Sequence, residues 1–341
     1  MTRSRRAATL ACGALLAAAT GCGDGSDGAD GPIGAVAMQA SSAAAGSACA
    51  RPYAADSPWN RPIGKVSGRP AGLTERLSSD PTQYTYPVYE VTRSTPLQTV
   101  HYEDWYSQVV DGGRRLINRR FQDAARRIAH VPVPPEAEAA AGSDAQVILI
   151  DRDTGAEWNM SHFDRDPDGG YRALNVGRYD TAWSAVPPLD GNGQPYFLRG
   201  AKIPYLAGLV RPCEIARGRI DHALAFAYPH PTPRWVYPAT DSDGATPVGE
   251  GLPEGTRLQL DPSLSADTLK SKWRCTGPCF TIARALQRYG MYLIDGGGRS
   301  KVMLEYEGTA HWGDAISRST PSAIRVERIR IVPPPSRPRR R

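Results

Sequence analysis

Thirty-four glycines and thirty prolines are spread over the 341 residues without a fixed period. Each proline removes a backbone donor and each glycine loosens the chain, so long regular elements are interrupted before they can grow. The lack of a period excludes a collagen-like helix, and the density of breaks favours many short strands joined by turns. Hydrophobic residues make up 40% of the chain and charged residues 22%. That balance excludes a mostly disordered or multi-span membrane protein and suffices for a sizeable core.

Residues 1–22 read as an export signal. Arg3, Arg5 and Arg6 precede an apolar run over 7–19, shorter than the roughly 20 residues a spanning helix needs. Ala19-Thr20-Gly21-Cys22 resembles the lipobox of bacterial lipoproteins, with Ala19 in place of the usual leucine. The resemblance implies a lipid on Cys22; cleavage by ordinary signal peptidase is the alternative. Residues 23–50 are rich in Gly, Ala and Ser and hold no aromatic residue, so they cannot bury a core and read as a tether. A single β-rich domain is expected over 51–332, followed by a proline- and arginine-rich tail over 333–341. The expected location is the outer face of the cell membrane, or secretion.

The net charge of +6 sits at the ends. Without Arg3, Arg5, Arg6, Arg337, Arg339, Arg340 and Arg341 the rest of the chain carries −1, so no basic stripe exists to neutralise a phosphate backbone and nucleic-acid binding is disfavoured. Cys12 leaves with the signal. The four cysteines beyond Cys22 allow three pairings; Cys275 and Cys279 flank Thr276-Gly277-Pro278, a bend tight enough for a disulfide in an exported chain, and that pairing would leave Cys49 with Cys213.

The body alternates between strand patterns and turns. Strands are expected over 84–93 and 97–102 as partners, and over 105–110 and 116–120 around Asp111-Gly112-Gly113. Residues 146–150 are continuously apolar, as in a strand covered on both faces. Further strands are expected over 157–163, 171–176, 219–228, 256–260 and 324–332. A hairpin is expected from 291–295 and 301–307 across Gly296-Gly297-Gly298. Residues 212–216 read as a short helix, and 280–289 as a second that places Ile282, Ala285, Leu286 and Tyr289 on one stripe before Gly290. This set predicts an all-β fold, a β-sandwich or jelly roll with one or two packing helices.

Several segments carry a resemblance: Ser57-Pro58-Trp59-Asn60, Ile203-Pro204-Tyr205-Leu206-Ala207-Gly208-Leu209, Gly218-Arg219-Ile220-Asp221-His222-Ala223-Leu224, and Ala285-Leu286-Gln287-Arg288-Tyr289-Gly290-Met291-Tyr292. In these the chain resembles a family of secreted proteins from high-GC bacteria. The resemblance implies export and one large domain, and it supplies no catalytic residue.

Candidate chemistry comes from the residues themselves. There is no G-x-S-x-G, H-E-x-x-H, P-loop or G-x-G-x-x-G motif, which removes support from common serine hydrolases, zinc proteases, NTPases and dinucleotide enzymes. Glu305 and Glu307 lie two apart on a predicted strand, about 6.6 Å between Cα atoms, a spacing that suits the paired carboxyls of a glycosidase. His222 shares a predicted strand face with bulky apolar residues, opposite Asp221. It is either a hydrogen-bonded core histidine or a base lining a concave face. Arg199 is a candidate for a substrate carboxylate, and Tyr179, Trp183, His311 and Trp312 for stacking on sugar rings. Asp164, Asp166 and Asp168 match the start of a calcium loop, with Asn175 where the bidentate Glu belongs. The favoured reading is an acidic hairpin tip, so no cofactor is expected; calcium at these three residues is the alternative.

The leading expectation is an exported carbohydrate-active enzyme, a polysaccharide hydrolase or lyase, monomeric and independent of nucleic acid. The rival is a non-catalytic protein that binds a glycan of the cell envelope.

Overall fold

Large and small side chains alternate over residues 223–228, and that alternation divides the interior. Leu224, Phe226 and Tyr228 face one way and share a cluster with Met291, Leu293, Val302 and Leu304. Ala223, Ala225 and Ala227 face the other way, beside Tyr292, Ile294 and Met303. The alanines leave depth for rings. Trp59 lies 4.8 Å from Tyr292 and Tyr86 stacks on Tyr205 at 4.6 Å, all four fully buried, and each such ring buries about 150–250 Å².

The computed structural model describes residues 50–64, 68–102, 127–167, 169–181, 185–186 and 199–333. The predicted signal with Cys22, residues 23–49 of the predicted tether with Cys49, the predicted 105–120 hairpin, Asp168, Trp183 and residues 334–341 lie outside them. Among the described residues, one sheet has the order β14 (Lys301–Val302), β9 (Leu224–Tyr228), β13 (Met291–Gly296), β12 (Arg257–Leu260), β15 (Ile329–Val332). A second has the order β1 (Val88–Val91), β4 (Val147–Asp151), β5 (Ala156–Ser161), β8 (Asn175–Asp180). A third runs β3 (Arg127–Pro132), β2 (Leu97–Tyr102), β7 (Tyr171–Ala173), β6 (Asp164–Arg165), while β10 (Pro231–Trp235) pairs with β11 (Leu252–Glu254). Among the described residues the α-helices are α1 (Pro212–Ala216), α2 (Gly277–Arg288) and α3 (Glu307–Ala310).

The layers follow from the side-chain period of two. In β4, Ile148 faces the ring-filled cluster, whereas Val147 and Leu149 face Val100, Val131, Phe163 and Tyr171. The predicted strand at 146–150 is therefore covered on both faces. Helix α2 closes the far side of the first sheet with Ile282, Ala285 and Leu286. It starts at a proline in its first turn and is stapled by the Cys275–Cys279 disulfide. Gly290 follows it with φ +72°, and a Cβ there would sit 2.2 Å from the Leu258 carbonyl, so only glycine fits. Cys213 is also disulfide-bonded.

The all-β class holds, with sheets of mixed sense: β1–β4, β2–β7 and β9–β13 are parallel pairs. Two expected hairpins are corrected. β2 pairs with β3 and β7 instead of β1. β13 and β14 do not pair with each other, because β9 lies between them, parallel to one and antiparallel to the other. Alternating patterns mark strands, but pairing is decided by which apolar faces must meet. No helix of the described residues is long and apolar enough to cross a membrane.

Candidate functional site

The predicted glutamate pair does not form. β14 ends at Val302; Glu305 makes an isolated bridge with Tyr86, and Glu307 opens α3. The strand spacing that would have put both on one face is absent. Glu305 is 2% exposed and accepts from Arg211 Nε at 2.5 Å. Glu307 accepts the backbone N–H groups of Trp312 and Gly313.

His222 is a core residue. Its Nε2 lies 3.0 Å from Glu214 Oε1 and its Nδ1 2.9 Å from the Ala223 carbonyl. Burial opposes charging the ring, but Glu214 outweighs it and the pKa is raised. Both nitrogens are engaged, so neither serves as a base toward a substrate. The Arg211 backbone N–H donates to Glu214, which links His222, Glu214, Arg211 and Glu305 into one network beside a hollow of about 400 Å³. The structure therefore brings Glu305 and His222 together, as a set of satisfied ion pairs.

The other predicted contacts are also internal. Arg199 is 3% exposed; it donates to Tyr86 Oη at 3.0 Å and to the carbonyls of Tyr205 and Ala207. Tyr179 and Trp312 are buried, and the Trp312 indole donates to the Glu305 carbonyl. His311 is exposed at the end of α3. In the loop that offered calcium as an alternative, Asp164 pairs with Arg172 at 2.6 Å and Asp166 with His101 at 3.2 Å. These residues line an open hollow of about 790 Å³.

A different cluster has no such pairing. Asp243, Glu254 and Asp295 each offer a carboxylate oxygen, all within 4.8 Å of one another. Glu254 ends β11 and is wholly buried, and neither of its oxygens receives a bond from an N–H or hydroxyl group; the carboxyl of Asp243 is its hydrogen-bonding neighbour. Asp295 lies where the register between β13 and β9 shifts, and the β10–β11 register shifts just before Glu254. Irregularities of this kind re-aim a side chain out of the alternating pattern. Two glycines let the backbone close in. The Gly200 N–H donates to Asp295 at 3.2 Å, and the Gly296 N–H to Asp243 at 3.2 Å. A Cβ on Gly200 would lie 2.5 Å from Asp243 Oδ1 and 2.7 Å from Glu254 Oε1.

The electrostatics reflect that crowding. Burial, then the neighbouring acids, push Glu254 up to about 11 and Asp295 up to about 8. Lys202, 4% exposed and 3.6 Å from Asp241, is pulled down to about 8 by burial, against the acids around it. It holds φ +56°, an uncommon conformation for a non-glycine residue that recurs at functional sites.

Asp295 also opens onto a cleft of about 430 Å³. Tyr84, Asp144, Gln146, Arg299, Lys301 and Arg318 share its wall. Lys301 donates to the Tyr84 carbonyl at 2.6 Å, and burial lowers its pKa. Tyr84, 43% exposed, stands at the surface. Tyr86, which accepts from Arg199, is also part of the wall. No protein-family model matches the chain, and no curated protein or solved structure matches it either.

Sequence reasoning missed this site. A signal was present: each of the three acids adjoins a glycine at Asp243-Gly244, Glu254-Gly255 and Asp295-Gly296. Acid–glycine steps at strand ends are also ordinary turn chemistry, and only the fold brings these three together.

Proposed function

We propose that the protein is an exported, carbohydrate-active enzyme that cleaves an acidic polysaccharide in the cleft over Asp295. The observation that carries this reading is the cleft wall, where Lys301, Arg299, Arg318, Asp144, Asp295 and Tyr84 converge on one hollow. A sugar offers hydroxyls to the carboxylates, a ring face to Tyr84 and, if it is a uronate, a carboxylate to the arginines.

Elimination fits this wall better than hydrolysis through Glu305 and Glu307, which lie elsewhere. The proton beside the uronate carboxylate passes to the Lys301 amine, whose neutral form burial favours. The C–H electron pair becomes the new double bond, the glycosidic C–O bond breaks, and the leaving oxygen takes a proton from water in the open cleft. Arg299 or Arg318 offsets the charge that builds on the carboxylate.

The domain form in this reading is a sandwich, supported by the ring-filled layer shared between the first two sheets. Export on the 1–22 signal, with or without lipid on Cys22, places the cleft where envelope or environmental polysaccharides are found.

The test is a screen of uronate-containing and neutral polysaccharides with the purified protein, following the ultraviolet absorbance of unsaturated uronates and the release of reducing ends. Lys301→Met should lose at least a hundredfold in rate while melting as the wild type does. Reducing ends without unsaturation would replace elimination by hydrolysis. Retention on a glycan column with no cleavage would make the protein a binder.

A further inference from the structure

Outside the sugar-binding reading, the three carboxylates pose a problem of their own. Other buried charges among the described residues have partners: Arg199 has a tyrosine hydroxyl and two carbonyls, Glu157 has Tyr53 and Asn159, and Glu305 has Arg211. Glu254 is the exception: its carboxyl is fully buried, no N–H or hydroxyl group donates to either oxygen, and the groups that crowd it are two further acids, with Asp243 in hydrogen-bond contact. A buried acceptor left without a donor is costly, so the arrangement calls for something that satisfies several oxygens at once.

We propose that Asp243, Glu254 and Asp295 form a binding site for a divalent cation of the calcium class. The donor set is oxygen only, without histidine or cysteine, which selects hard cations over zinc or copper. Oxygens up to 4.8 Å apart can lie on opposite sides of a calcium ion, whose ligands stand at about 2.3–2.6 Å. Asp243 is exposed and Asp295 half-buried, so an entry path exists at one edge while Glu254 forms the floor. Gly200 supports the assignment: its missing side chain is what allows Asp243 and Glu254 to approach the same backbone. Lys202 contributes a positive charge beside the three acids, which offsets part of their charge and opposes a cation.

This site replaces the Asp164–Asp166–Asp168 loop as the place for calcium, and it stands whether or not the cleft takes a polysaccharide. The experiment therefore uses no sugar. The purified protein is stripped with a chelator and titrated with calcium chloride by calorimetry, and its melting is recorded with and without the ion. One calcium per chain and a rise in melting temperature are expected. Asp243→Asn, at an exposed position that leaves the fold intact, and Glu254→Gln should each weaken binding at least tenfold. Lys202→Met should tighten it several-fold. No heat and no melting shift at millimolar calcium would overturn the proposal. So would binding that survives unchanged in both acid variants, or that is lost only in Asp164→Asn, which would move the ion to the hairpin.

Discussion

The protein buries charge in two regions, and they are built in opposite ways. Around His222 and Glu305 each acid faces a base: Glu214 with His222, Glu305 with Arg211, and Arg211 also toward Glu90 at 3.9 Å. Around Glu254 acid faces acid, and the nearest base, Lys202, is set to one side against Asp241. Both regions line hollows of similar size, about 400 and 430 Å³, so cavity volume does not separate a structural network from a site. Pairing does. Acids matched to bases hold the fold, whereas acids crowded on one another in a packed interior, with their pKa values pushed up, are what a ligand or reaction site looks like.

The strongest way to break this comparison is to unpair the first region. Arg211→Met leaves Glu305 buried and uncompensated, and the expected loss of stability is about 3–5 kcal/mol, read from urea unfolding. A loss below about 1 kcal/mol would show that the network is not structural.

A smaller effect sharpens the same point through pH. His222 has a raised pKa, and its unfolded value is near 6.5. The charged ring is thus favoured in the folded state, so its contribution is fully present below about pH 6.5 and is lost as pH rises through the folded pKa. The hydrogen bond to Glu214 sets the scale at about 1.5–3 kcal/mol. Unfolding free energies measured across that window should fall with rising pH in the wild type and fall less in His222→Gln. Parallel curves for the two proteins would remove His222 from the account.

How much of this was legible in the sequence differs between the two regions. The elements were readable: 97–102 matches β2, 147–150 lies within β4, and Pro212–Ala216 is α1 as expected. The alternation that sends Leu224, Phe226 and Tyr228 one way and the alanines the other was readable too. His222 was weighed as a core residue and is one. Glu305 and Glu307 were placed on a strand because charges two apart fit the pattern, but the ladder stops at Val302 and Glu307 starts a helix. The acid cluster was illegible for a plainer reason. Its members come from the loop after β10, the end of β11 and the irregular stretch of β13, and no local pattern links residues 243, 254 and 295.

The smallest expected effect is the most discriminating, because it applies one substitution to both regions. Glu305→Gln keeps size and shape but weakens a charge-assisted bond from Arg211, and should cost about 1.5–3 kcal/mol. Glu254→Gln makes the same change where no base or backbone N–H donates to the carboxyl and its contact is with another acid, Asp243. An amide removes one of three crowded acids and offers its own N–H to Asp243 or Asp295, so calcium-free stability should stay within about 1 kcal/mol of the wild type or rise. The two variants are compared by urea unfolding in chelator, then again in calcium. In calcium the wild type gains the free energy of binding and Glu254→Gln does not, so the gap between them opens only when the ion is present. Equal losses for both variants in chelator would mean that Glu254 is held by the fold as Glu305 is, and the distinction between the two regions would fall.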